Sequence, residues 1–142
     1  GGGQFGVGSD SNVSIDAADE LRMLEYSQRL KFRKRNVVSA ATSKSTGRSL
    51  FDLALVGGNQ AAGSVSALAV GQPADLIVLN NGKTATDSRT PDRIIDEWVF
   101  RDGKKSISEV WRRGARVVEN GRHVRRTEFE DRFHGALERI LN

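Results

Sequence analysis

The chain has 142 residues, 37% of them hydrophobic and 28% charged, with a mean hydropathy of −0.46, a balance that excludes both outright disorder and a membrane-embedded protein. It has no cysteine and two histidines, His123 and His134, so disulfides, thiolate sites and a three-histidine metal centre within the chain are excluded. The net charge of +4 admits nucleic-acid binding, yet acidic and basic residues interleave and no basic tail forms.

The chain opens on Gly-Gly-Gly-Gln-Phe, with no initiator methionine and no targeting pattern, which reads as a truncated protein. Phe5–Gly8 is expected to be a buried strand. Asp16 suits an N-cap, with Asp19 and Glu20 in the first turn, so a helix is expected from Ala17. Its apolar residues are Leu21, Met23, Leu24, Tyr26 and Leu30. The cationic end (Arg29, Lys31, Arg33, Lys34, Arg35) complements the helix dipole and reads as a solvated C-terminus, with a nucleic-acid patch as the alternative. Asn36–Arg48 reads as a mobile connection.

A second helix is expected over Ser49–Val56, ending at Gly57-Gly58, followed by a short turn to Gly63. Ala74–Leu79 is an apolar run of strand length. Ile107–Arg113 and Arg116–Glu119 are further strands, and Asn120-Gly121 signals a hairpin before Arg122–Val124. Thr127 and Glu130 form a capping box for a closing helix, whose Phe129, Phe133, Ala136, Leu137, Ile140 and Leu141 repeat on one face. Internal repeats and the Walker and Rossmann glycine patterns are absent.

Asp10 is the candidate catalytic residue. It follows a Gly-rich strand, in Gly6-Val7-Gly8-Ser9-Asp10-Ser11-Asn12. In a β/α barrel the carboxyl ends of strands face the active site, and a carboxylate there can hold a divalent metal and take a proton from water. Read from spacing alone, a loop carboxylate or helix cap is the competing role. Ser11 and Asn12 adjoin this position and read as turn residues able to tune it. His123 and His134 read as hairpin or surface histidines. Trp98, Phe100 and Trp111 read as the core of a small β-domain and its seam with a barrel, with a base-stacking platform as the alternative.

Two stretches carry a family resemblance. Leu68-Ala69-Val70-Gly71-Gln72-Pro73-Ala74-Asp75-Leu76-Ile77-Val78-Leu79 resembles the segment by which amidohydrolase-superfamily chains re-enter the small β-domain beside their barrel. Gly8-Ser9-Asp10-Ser11-Asn12-Val13, followed by Glu20–Leu30, is similar to the formimidoylglutamate deiminase family, as are Leu53–Gly58 and Val110–His123. The resemblance spans the whole chain but about the final third of the family's usual length. Departures fall at Gly58-Asn59-Gln60, Ser66-Ala67 and Lys83–Pro91, the last loop-like.

The resemblance implies an α/β fold. Residues 1–63 would be the last strand and following helices of a metal-dependent (β/α)8 barrel, and 64–142 part of the small β-sandwich domain with a terminal helix. It implies that Asp10 contacts zinc and shuttles protons, with the remaining zinc ligands and the substrate-binding residues upstream of this chain. The implied reaction is hydrolysis of N-formimino-L-glutamate to N-formyl-L-glutamate and ammonia, in histidine degradation. The enzyme would be a cytoplasmic homodimer acting on a small molecule, with neither nucleic acid nor membrane as partner, and the fragment alone would be inactive. The alternatives are another superfamily hydrolase of a small C–N substrate, guanine- or chlorotriazine-like, and a basic nucleic-acid-binding module.

Overall fold

A computed structural model describes residues 3–39, 45–65, 67–80 and 90–141. Gly1, Gly2, residues 40–44 of the expected connection, Ser66 and residues 83–89 of the expected loop lie outside the described residues.

Helix α1 spans Ala17–Phe32 and is capped as the sequence implies, the Asp16 carboxylate accepting the Ala18 N–H. Leu21 is buried, but Met23, Tyr26 and Leu30 are exposed, so the apolar face is narrower than its residues suggest. The helix ends at Arg33, whose φ of 51° is left-handed.

Helix α2 spans Thr46–Ala62, longer at both ends than expected. It starts earlier because the Ser45 hydroxyl accepts the Arg48 N–H at 3.0 Å. It runs through Gly57-Gly58 because Gly57 serves packing rather than termination. A Cβ at Gly57 would lie 2.0 Å from the Phe5 carbonyl oxygen, so only glycine lets that backbone cross the helix. Gly63, at φ 60°, is the stop.

The Phe5–Gly8 segment is a second correction. It is extended but pairs in no ladder among the described residues, and only Phe5 is half-buried. It lies across α2 instead of within a sheet.

Strands β1 (Leu76–Leu79), β2 (Ile107–Arg112), β3 (Ala115–Glu119) and β4 (Arg122–His123) form an antiparallel sheet in that order. The turn between β3 and β4 has φ 52° at Asn120 and 73° at Gly121, the left-handed pair that an Asn-Gly hairpin requires. Arg113 and Gly114 turn β2 into β3 in the same way, at 49° and 78°.

Between β1 and β2 lies a helical insertion the sequence reading missed. Helix α3 (Pro91–Glu97) starts on a Thr90 cap with Pro91 in its first turn and passes into a π-turn, Trp98–Asp102, and a 3-10 turn, Gly103–Ser106. This insertion carries Trp98 and Val99 into the core beside Ala18, Leu21 and Leu50. The core is therefore helical. Trp98 and Phe100 pack against helices rather than inside a β-domain, while Trp111 lies half-buried in β2 with Arg116 over its ring.

Two carboxylates join the insertion to the helices. Asp96 accepts the Gly47 N–H at 2.7 Å and the Ser45 hydroxyl at 2.9 Å. Asp16 accepts the Lys104 N–H at 2.9 Å.

Helix α4 (Arg126–Leu141) closes the described chain. It begins one residue before Thr127, so the expected capping box does not form. Thr127 instead accepts from Arg122, and Glu130 pairs with Arg126 at 2.6 Å. Its apolar side chains are largely uncovered, Phe133 being 62% exposed and Ile140 79%. Among the described residues no helix is long and apolar enough to cross a membrane.

Candidate functional site

Asp10 occupies a turn between the extended segment and α1. Its φ of 37° lies in the left-handed region, which aspartate tolerates better than most side chains. The turn is closed by the Asn12 N–H donating to the Ser9 carbonyl at 2.6 Å. Asp10 is exposed, so its carboxylate meets solvent rather than the core.

The turn is held from both sides. Upstream, Phe5 crosses Gly57, and a Cβ at Gly6 would sit 3.3 Å from the Gly58 Cα. Downstream, Asn12 Nδ2 donates to Glu20 Oε1 at 2.8 Å, and Asn12 Oδ1 accepts the Ser14 N–H at 3.3 Å. The Ser14 hydroxyl donates to Asp19 Oδ2 at 2.6 Å, and Arg22 pairs with the same carboxylate. The acids in the first turn of α1 thus do more than balance the helix dipole: they bind the loop that carries Asp10.

Two open clefts flank the turn. One, of about 280 Å³, is lined by Val7, Gly8, Ser9, Ile15 and Glu20. The other, of about 390 Å³, is lined by Asn12, Ser14, Arg22, Met23 and Tyr26. A larger hollow of about 440 Å³ lies between β4 and α4, where Arg122 and Arg126 are already paired with Thr127 and Glu130.

Neither histidine joins Asp10 in a metal-binding cluster. The Nδ1 of His123 accepts the Arg125 N–H at 3.1 Å, and its ring packs 5.2 Å from Phe129. His134, on α4, is exposed beside Phe133. Among the described residues no three His, Asp or Glu side chains gather in a group able to hold a metal. Asp10 can supply one oxygen donor, short of the four a zinc centre takes.

The sequence reading missed Glu25, a fully buried carboxylate. It accepts from Arg29 Nε at 2.6 Å and from the backbone N–H groups of Val38 and Val37 at 2.8 and 3.0 Å. Burial opposes its ionisation, but Arg29 and the two N–H groups outweigh that penalty and hold its carboxyl below the ordinary value. The i,i+4 spacing to Arg29 was the available signal. It also accounts for one member of the cationic cluster, since the Arg29 guanidinium lies over the Tyr26 and Phe100 rings, at 5.2 and 5.5 Å.

Comparison of the fold with solved structures places the chain beside the amidohydrolases. It matches the crystal structure of an amidohydrolase from Brucella melitensis with a TM-score of 0.87 and 45% identity, over 99% of this chain and 31% of that one. Among curated proteins it is similar to the formimidoylglutamate deiminase of Pseudomonas aeruginosa, at 40% identity over 142 aligned residues, 99% of this chain and 31% of that protein. No family model matches. The resemblance read from the Gly8–Val13 and Leu68–Leu79 stretches therefore extends along the chain, which spans less than a third of the length of either relative.

Proposed function

We propose that this chain is the C-terminal portion of a formimidoylglutamate deiminase, a hydrolase that converts N-formimino-L-glutamate and water to N-formyl-L-glutamate and ammonia in histidine degradation. The observation that carries this reading is the 40% identity to the Pseudomonas aeruginosa deiminase along 99% of the chain. In this reading the extended segment and the two following helices complete a (β/α)8 barrel, and β1–β4 belong to the small β-domain beside it.

Asp10 is then the residue through which this chain takes part in the chemistry. Exposed on a fixed turn, its carboxylate can take a proton from the attacking water and return it to the departing nitrogen. Proton transfer of this kind contributes about 10²–10⁴-fold. Asp10 would also give one oxygen donor to a zinc ion, the other donors coming from the rest of the enzyme. Zinc, when bound, supplies Lewis acidity and lowers the pKa of its water to about 7. The enzyme would act in the cytoplasm as a homodimer, on a small molecule.

The test is a chimera in which this chain replaces the matching portion of the Pseudomonas aeruginosa deiminase. Ammonia release from N-formimino-L-glutamate is expected. A folded, zinc-loaded chimera that ignores this substrate but hydrolyses guanine or a chlorotriazine would move the chain to another branch of the amidohydrolases.

A further inference from the structure

We infer that Asn12 and Glu20 form a positioning pair that fixes the Asp10 turn for catalysis, an inference that rests on the deiminase reading above. Asn12 makes three hydrogen bonds with three different tasks. Its backbone N–H closes the turn onto the Ser9 carbonyl at 2.6 Å, and its Oδ1 accepts the Ser14 N–H at 3.3 Å. Its Nδ2 donates to Glu20 Oε1 at 2.8 Å, across eight residues of chain. The first two bonds shape the loop internally. The third alone relates it to a rigid element.

That element is well anchored. Ala18 and Leu21, either side of Glu20, are buried in the core, and Asp16 ties the start of α1 to the Lys104 N–H at 2.9 Å. A continuous path of fixed contacts runs from the core through α1 and Glu20 to Asn12, two residues from Asp10. Ser14 with Asp19 makes a second tie, but it holds the far end of the loop, nearer the helix than the turn. An exposed carboxylate at φ 37° has little packing of its own to orient it, so orientation must come from the turn. Reacting groups need placement finer than about 1 Å, and errors of that size cost about 10²-fold.

The bond to Glu20 is charge-assisted, since the glutamate carboxylate accepts from an amide N–H. Glutamine in place of Glu20 keeps an acceptor oxygen at the same reach, whereas alanine removes it. Alanine in place of Asn12 removes both the Nδ2 donor to Glu20 and the Oδ1 acceptor of the Ser14 N–H, and leaves the backbone N–H bond to Ser9.

The experiment uses the chimera described above, with Asn12→Ala, Glu20→Ala, Glu20→Gln and the double Asn12→Ala/Glu20→Ala variant. We expect kcat to fall roughly 10–100-fold in either alanine variant with KM nearly unchanged. The double variant should fall no further than Asn12→Ala alone, and Glu20→Gln should recover most of the loss seen in Glu20→Ala. Hydrogen exchange over residues 9–14 should quicken in both alanine variants while α1 stays protected. Additive losses, or a lowered melting temperature with normal kcat in the folded fraction, would overturn the positioning role. An Asp10→Asn chimera measured alongside separates the two ideas. If Asp10→Asn turns over normally, the deiminase reading of Asp10 fails and the pair has nothing to position. If Asp10→Asn is inactive while both alanine variants are normal, only the pair is refuted.

Discussion

The Phe5 backbone crosses α2 at Gly57, so close that a methyl group there would lie 2.0 Å from the Phe5 carbonyl oxygen. The adjacent Gly58 faces open space. Two neighbouring glycines in one helix therefore have opposite constraints. Gly58→Ala should stabilise the chain by about 0.5–1 kcal/mol through helix propensity. Gly57→Ala should destabilise it by about 1–3 kcal/mol, because backbone must move to admit the methyl. Urea midpoints of the two variants check this, and equal effects of the same sign would contradict the crossing.

Glu25 predicts a pH dependence. Its folded-state pKa is depressed, so its contribution is present above the ordinary carboxylate value of 4.5 and is lost as pH falls below it. Glu25→Gln should cost about 1.5–3 kcal/mol near neutrality, the range for hydrogen bonds to a charged group. The gap between wild type and variant should narrow steadily as pH falls below 4.5. A gap that is constant from neutral to acidic pH would show that the charge on Glu25 contributes nothing.

Asp96 holds the helical insertion against the start of α2 through the Gly47 N–H and the Ser45 hydroxyl. Asp96→Ala leaves that N–H without its acceptor and should cost about 1–3 kcal/mol. Asp96→Asn keeps an acceptor oxygen and should cost less. Thermal melts of both variants provide the check, and a neutral Asp96→Ala would mean that packing alone positions the insertion.

Local chemistry explains which elements were legible in the sequence. Asp16, Asn120-Gly121 and the β-rich runs each act over a few residues, and the structure has α1, the hairpin and the strands where those signals fall. Two of the errors arise where a distant segment decides. Gly57 reads as a helix stop until Phe5 is seen crossing it, and the helical insertion is recognisable only once Trp98 is placed against Phe51 on α2, ring edge to face at 6.0 Å. At the candidate site, Asp10 stands out from its Gly-rich context. The bond from Asn12 to Glu20 does not, because nothing in the spacing shows which acid of the first turn faces the loop.

The deiminase account turns on one carboxylate, and one measurement addresses it most directly: ammonia release from N-formimino-L-glutamate by the chimera carrying Asp10→Asn, with its melting temperature taken on the same sample. Asparagine keeps the size and one oxygen but removes the basic group. The account predicts a loss of turnover of at least about 10²-fold, with a melting temperature near that of the unsubstituted chimera. Turnover close to that of the unsubstituted chimera, in protein that remains folded, would contradict it.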